Sequence, residues 1–596
     1  MIGLIAATAA GSIASERLTA AWPGRCRVYE GPVREAVARA FAECEGLVCF
    51  LATGAAVRLV APLLTDKAAD PGVVCVDEAL RHAVALVGGH GGGANELARQ
   101  VADVLGCAPV VTTATDAVDV PGLDTLGWPV EGAVAAVGRA VLDGEPVRLD
   151  ADAVHPLPAL PPNVSPVDGA VTVDGATADG AAFTLRVTDR EVPGEGRTAV
   201  LRPPTLVVGV GASRGVGTEE VLELITRTLA DAGLSPRSVA ELATVDAKAD
   251  EAGLVEAAAR LGVPLVTHPA EVLAAVEVPN PSEAPLAAVG TPSVAEAAAL
   301  AGAPGGELIV PKRKSSPEGR PAMCTAAVAR RRPRGRLAVV GLGPGARDLL
   351  TPRAREELRR ASVVVGLDQY VDQVRDLLRP GTRVLESGLG AEEERARTAV
   401  AEARAGHAVA LIGSGDAGVY AMASPALAEA SDDIDVTGVP GVTAALAAAA
   451  ILGAPLGHDH VSISLSDLHT PWEVIERRVR AAAESDLVVT FYNPRSRGRH
   501  WQLPKALDIL AGHRSPTTPV GIVHAATRAD ERSSVTTLAA LDVEQVDMVT
   551  VVVVGNTATR NVAGRMVTPR GYRWQTAGAA ETAGTAGTPG ASGGEQ

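Results

Sequence analysis

Residues 336–358, RLAVVGLGPGARDLLTPRAREEL, decide the fold. RLAVVG is a continuous apolar run of strand length, and Thr351-Pro352 further on is a pair that starts a helix. Between them Gly341, Gly343 and Gly345 alternate with other residues, so the backbone can approach a ligand closely. A strand that passes through a glycine turn toward a helix is one unit of an α/β sheet. Taken alone, the pattern suits a ligand loop, a dinucleotide loop or a plain tight turn. Pro344 counts against the dinucleotide, because it stands where that fingerprint needs a free amide facing a pyrophosphate. The loop also does not open directly into a helix.

Further along, similar units follow. The strand HAVALIG (407–413) leads into Ser414, Gly415, Asp416, Ala417, Gly418, Val419 and Tyr420. VTGVPGVTAALAAAAILGAPL (436–456) carries Pro440, Gly441, Val442, Thr443 and Ala444. VVTFYNPRSRGRHWQL (488–503) carries Tyr492, Asn493 and Arg495, and VVVVGNT (551–557) carries Gly555, Asn556 and Thr557. Asp416, inside Gly-Asp-Ala-Gly, reads by itself first as a turn former and only second as a group that orients a ligand or assists proton transfer. Arg495, Arg497, Arg499 and His500 form a basic loop that either pairs with substrate carboxylates or is simply solvated.

Toward the N-terminus, short β-type runs alternate with Ala-rich helical stretches over residues 1–145: GLIAAT, RVYEG, GLVCFLA, GVVCVD, AVALVGG and PVVTTA. This predicts α/β layering on a mostly parallel sheet. Residues 146–203 are Pro-rich and contain a small strand pair around Asp-Gly turns, which suggests a connecting module. Residues 204–329 return to α/β, with TLVVGVGASRGV as a strand and loop and TEEVLELITRTLADAG as an amphipathic helix. Arg330 to Arg336 reads as a solvated linker, residues 336–570 as the last folded region, and the Ala/Gly/Thr/Ser stretch 575–596 as disordered. The segment LVGGHGGGANELARQVADVLG (86–106) places His90 at a glycine-rich turn just before a helix, where carbonyls and anions bind and an imidazole can act as a base on water.

Bulk properties narrow the classes. A chain of 596 residues carries three or more domains, and 47% hydrophobic with 2% aromatic content means cores of Ala, Val and Leu. A net charge of -16 argues against nucleic acid as a partner. Six scattered cysteines show no metal-ligand spacing, and no targeting segment or membrane span stands out, so no metal site, no membrane and a cytoplasmic setting are expected.

Together the blocks GLGPG, GSGDAGVYAMA, PGVTA, FYNPRS and GNT resemble the tetrapyrrole (corrin/porphyrin) methylase family over residues 336–570, and within it the precorrin-3B carbon-17 methyltransferase type. The resemblance implies a two-lobed α/β methylase, a homodimer through this region, a tetrapyrrole substrate and S-adenosyl-L-methionine as methyl donor. It implies a donor pocket of Gly343, Pro344, Ser414, Gly415, Asp416, Val419, Tyr420, Thr443, Ala444, Tyr492 and Asn556, with Asp416 also as a catalytic candidate and Arg495 and Arg497 for the substrate. GLVCFLATGAAVR, DEALRHAVALVGGHGGGANELA, PVVTTATD, ATVDAKADEAGL, VPNPSE, VGTPSVAEAAAL and LIVPKRKS are similar to the cobalt-precorrin-5A hydrolase. That family opens a ring lactone with loss of acetaldehyde. It makes residues 1–145 and 204–329 hydrolase-like domains, with His90 as the catalytic candidate and Asn95, Lys248, Glu296 and Lys312 as weaker polar ones. The fusion of the two suggests near-consecutive steps on a cobalt-bearing precorrin-3 species. Two other readings remain at this point. In one, the first half binds tetrapyrrole without catalysis. In the other, the chain is an NAD-dependent oxidoreductase built on Gly209 and Gly341, with Asp368 holding a ribose hydroxyl.

Overall fold

A computed structural model describes residues 1–66, 69–89, 91–113, 120–166, 182–192, 196–496 and 498–571. His90, Arg497 and the stretch 575–596, each the subject of an expectation above, lie outside them. The chain forms two compact units, Met1–Arg334 with Arg379–Thr382, and Gly335–Leu378 with Arg383–Gln596.

The first unit holds three sheets. In the first, the order is Cys26–Val28, Ile2–Ala6, Gly46–Phe50, Gly72–Val76, His82–Val87, Ala108–Val110. Neighbours are parallel except Gly72–Val76 and His82–Val87, which run antiparallel. Only five residues join those two strands, too few for the crossover helix that a parallel pair requires. Helices Ala9–Ala21 and Ala94–Leu105 cover one face, and Val33–Glu43 and Thr53–Val60 the other.

The second sheet runs Val130–Gly132, Thr198–Leu201, Phe183–Val187, Val147–Ala151, Val164–Pro166. Its core takes Leu123, Leu126, Val137 and Val141 as well as Leu185 and Leu201. Of the strand pair expected between 171 and 189, the first half lies outside the described residues. The second half, Phe183–Val187, pairs in parallel with Val147–Ala151 and Thr198–Leu201.

The third sheet runs Leu265–His268, Val239–Val245, Leu206–Ala212, Cys324–Arg330, Glu307–Lys314. Helices Thr218–Ala230 and Ala252–Leu261 pack on one side, and Ala270–Ala274 and Ala295–Ala301 on the other. A Cβ at Gly209 would strike the Ala295 carbonyl, so this glycine serves helix packing. Arg330 and Arg331, expected in a solvated linker, are instead drawn into this unit. Arg330 grips Asp189 at 2.7 Å and Arg331 grips Glu241 at 2.5 Å. Glu241 and Asp189 are themselves buried, and pairing offsets their desolvation.

The second unit is two sheets with a small third. One is fully parallel in the order Arg383–Ser387, Val363–Leu367, Ala408–Gly413, Arg336–Gly341, Asp435–Val439. The other runs His460–Ser464, Val488–Tyr492, Thr550–Val554, Pro519–His524, Arg532–Thr537, with only the first pair parallel. Gly453–Ala454, Arg565–Val567 and Arg560–Val562 make the third. Cores of Ala, Val and Leu fill both lobes, as the composition requires. Among the described residues no helix is long and apolar enough to cross a membrane.

Candidate functional site

Three neighbouring strands of the parallel sheet, Ala408–Gly413, Arg336–Gly341 and Asp435–Val439, end side by side. Ligands of open parallel sheets bind at such carboxyl ends. The loops there touch through glycine. A Cβ on Gly341 would come within 2.7 Å of the Gly415 carbonyl and 2.9 Å of the Gly441 amide. Gly343 and Gly415 exchange backbone hydrogen bonds of 3.0 and 2.7 Å, each with φ in the left-handed region at +77° and +69°. Close approach fixes Gly341, a positive φ favours glycine at 415, and both hold at Gly343, where a Cβ would also come within 2.8 Å of the Leu349 carbonyl, so the glycines read from the sequence have a structural cause.

Asp416 ties two of these loops together. One carboxylate oxygen accepts from the Gly418 amide at 2.8 Å and the other from the Gly441 amide at 3.0 Å. Helix Ala444–Leu452 begins at this edge, with Thr443 at its N-cap position. The Thr443 hydroxyl turns to the Tyr492 phenol at 2.6 Å, and that phenol oxygen accepts from the Ala445 amide at 2.8 Å. Tyr492 thus caps a helix that packs on its own sheet, since Ala447, Ala448 and Leu452 share a core with Val488, Val523 and Val553. Its ring lies 5.1 Å from that of Tyr420, whose phenol donates to the Ser462 carbonyl at 2.8 Å. Burial pushes both phenols above their ordinary pKa.

The structure therefore gathers Gly343, Pro344, Ser414, Gly415, Asp416, Val419, Tyr420, Thr443, Ala444 and Tyr492 around one inter-lobe junction. It does not bring Asn556 there. Val489 pairs with Val554 and Phe491 with Val552, so the end of Thr550–Val554 that leads to Asn556 lies at the opposite end of the strands from Tyr492. Asn556 Oδ1 accepts from the Ala558 amide and the Thr559 hydroxyl of its own turn. Arg495 is held by Glu544 at 2.6 Å and the Val543 carbonyl at 3.0 Å. Arg499 is buried and donates to the Asn493 carbonyl, while His500 is exposed.

Sequence reasoning missed residues 524–531. After strand Pro519–His524, Ala525 and Thr527 take left-handed backbone at φ 47° and 65°, and this turn reaches the glycine loop of the first lobe. Thr527 Oγ1 accepts from the Ala346 amide at 3.1 Å, and Arg528 Nε donates to the Pro344 carbonyl at 3.1 Å. The stretch HAATRADE has no glycine to announce such a turn.

The strand order removes the dinucleotide reading. Val363–Leu367, which leads to Asp368, is separated from Arg336–Gly341 by Ala408–Gly413. Two strand spacings, roughly 10 Å, stand between the candidate ribose acid and the glycine loop, whereas a dinucleotide fold sets these strands side by side.

In the first unit, Asn95 is buried at the start of helix Ala94–Leu105, its amide donating to the Gly89 carbonyl at 3.0 Å and its side chain to Thr113 at 2.9 Å. It thus stands beside the glycine turn that leads to position 90. Lys248 pairs with Glu251 at 2.9 Å. Glu296 is fully buried and accepts from the Asn280 amide, the Asn280 side chain and the Lys312 amide, while Lys312 Nζ donates to the Asn280 carbonyl. Glu296 and Lys312 thus staple VPNPSE, VGTPSVAEAAAL and LIVPKRKS together.

Residues 336–542 match the family of tetrapyrrole (corrin/porphyrin) methylases, residues 206–329 the cobalamin synthesis G C-terminus and residues 35–116 the cobalamin synthesis G N-terminal region. The probable cobalt-factor III C(17)-methyltransferase of Salmonella typhimurium is 49% identical over 239 residues, which cover 40% of this chain and 99% of that protein. The precorrin-3B C(17)-methyltransferase of a Sinorhizobium species is 43% identical over 235 residues, covering 38% of this chain and 91% of its own. A crystal structure of the methyltransferase CobJ is 40% identical, covers 39% of this chain and 100% of its own, and has a TM-score of 0.38.

Proposed function

Because the chain belongs to the tetrapyrrole (corrin/porphyrin) methylase family, we propose that its last region methylates carbon 17 of a precorrin-3 type ring, with ring contraction. The first half, which carries both cobalamin synthesis G regions, opens the ring lactone and releases acetaldehyde. The place of both steps is cobalamin biosynthesis. The family uses S-adenosylmethionine, and this chain's donor is S-adenosyl-L-methionine. One observation carries the methyl-transfer reading: glycine-lined ends of three neighbouring parallel strands meet Tyr420 and Tyr492 beneath the second lobe.

When bound, the donor supplies a methyl group on sulfonium sulfur that is already electrophilic. What remains for the protein is to orient two partners and to exclude water. Gly341, Gly415 and Gly441 let three loops stack without side chains between them. Asp416 fixes the spacing of two of those loops and so orients what they hold. Tyr492 and Thr443 fix the helix N-terminus within the second lobe, and the rings of Tyr420 and Tyr492 meet across the lobes as an apolar wall. Arg495 and Arg497 are the partners for carboxylates of the ring, with Arg495 exchanging Glu544 for substrate. In the lactone-opening half, His90 is the base and Asn95 and Lys248 are polar contacts to the ring.

The acceptor carries cobalt, a reading supported by the cobalt-factor III name of the Salmonella relative. The active form is a homodimer through the methylase region, and exposed Leu427 and Leu446 are apolar surface such a contact would cover. Its setting is the cytoplasm, which suits six free thiols. The test is a mass-spectrometric assay of the full chain with S-adenosylmethionine and either cobalt-factor III or metal-free precorrin-3B. One added methyl, on the cobalt substrate in preference, is expected, and methylation of metal-free substrate alone contradicts the cobalt reading. His90→Ala is expected to abolish acetaldehyde release and leave methylation intact. Unchanged release would show that His90 is not the base.

A further inference from the structure

Arg528 sits at the junction of the methylase lobes with its charge unmatched. Its stem lies over Gly345, where an added Cβ would approach Arg528 Cγ to 2.6 Å, so the first lobe's loop is shaped around this side chain. Nε donates to the Pro344 carbonyl at 3.1 Å and Nη2 to Ser414 Oγ at 3.4 Å. Both partners are neutral, and among the described residues no carboxylate pairs with the guanidinium within 4.0 Å. A half-buried cation beside neutral acceptors has spare N–H donors and no counter-charge.

Two hydroxyls share the place. Thr527 Oγ1 accepts from the Ala346 amide and Ser414 Oγ accepts from Arg528, so each keeps its own O–H to donate. The backbone that presents them is strained. Thr527 is β-branched yet held at φ 65°, by its amide's 2.6 Å bond to Glu531 and by the Ala346 contact. Strain kept by surrounding contacts is a feature of ligand clamps. A guanidinium fork flanked by two hydroxyl donors is complementary to a carboxylate.

We propose that Arg528, Thr527 and Ser414 form a carboxylate-binding subsite at the lobe junction. The subsite rests on the methyl-transfer reading and names a ligand group within it. Two sources carry that group: the amino-acid end of the methyl donor, and the acetate or propionate arms of the macrocycle.

The test compares the full-length wild type with Arg528→Gln, after matching their melting temperatures. Each is titrated with S-adenosylhomocysteine and with methylthioadenosine, which lacks the carboxylate, and each is turned over on cobalt-factor III. Weakening of S-adenosylhomocysteine by about tenfold or more, with methylthioadenosine unaffected, assigns the subsite to the donor. Unchanged S-adenosylhomocysteine with KM for cobalt-factor III raised by about tenfold or more, and kcat little altered, assigns it to the ring. No change in either arm overturns the proposal. If Arg528→Gln does not fold, Arg528→Lys decides: it keeps stem and charge but loses the fork, and an unaltered affinity in both arms overturns the subsite equally. Failure of the underlying reading is visible separately, as a wild type that neither binds S-adenosylhomocysteine nor methylates the ring, and it takes the subsite with it.

Discussion

Tyr492→Phe is the most informative change at the scale of a residue. The phenol oxygen accepts from the Ala445 amide at the start of a helix, and it also meets Thr443. Removing it leaves a buried donor unpaired, which costs about 1–3 kcal/mol. A lowered urea midpoint together with weaker S-adenosylhomocysteine binding is expected; an unaltered midpoint would show that the cap contributes nothing. The same phenol sets a pH limit. Burial raises the pKa of Tyr492 and Tyr420 in the folded chain above that of the unfolded one, so both states are protonated at neutral pH. As pH rises above about 10 the unfolded chain loses these protons first, and stability falls until the folded values are passed. Tyr492→Phe is expected to flatten that alkaline decline. The sequence pointed to Tyr492 through its block but not to the bond with Ala445, because two partners 47 positions apart leave no local pattern.

Among elements, the loop pair around Asp416 is where a structural and a proton-carrying role diverge. Its two oxygens each accept a backbone amide. Asp416→Asn keeps the shape but replaces one acceptor by a donor facing an N–H. The expected result is S-adenosylhomocysteine binding weaker by about tenfold, with kcat at saturating donor reduced less. Loss of kcat with binding intact would instead make Asp416 a proton carrier. Glycine-rich strand ends were legible in the sequence because close approach and positive φ leave few other choices. The turn 524–531 was not, since Ala525 and Thr527 hold left-handed backbone that their side chains disfavour. Asn556 is the reverse case: a recognisable block residue whose strand direction carries it to the other end of the sheet from Tyr492. Apolar runs give strand positions but not direction, which also hid the antiparallel pair Gly72–Val76 and His82–Val87.

For the whole molecule, α/β layering was readable from alternating apolar runs and Ala-rich helices, and the segment order carried both family resemblances. Strand order was not readable, and it is what removes the dinucleotide alternative, because Ala408–Gly413 intervenes between Arg336–Gly341 and Val363–Leu367. The arginines at 330 and 331 looked like a linker because their partners, Asp189 and Glu241, lie far off in sequence. In the proposed methyl transfer, loops at the ends of three parallel strands seat a sulfonium donor. Isothermal titration of the full chain with S-adenosylhomocysteine, and separately with NAD, checks this. Saturable binding of one S-adenosylhomocysteine per chain with no heat from NAD is the predicted result; binding of NAD, or no binding of S-adenosylhomocysteine, would contradict it.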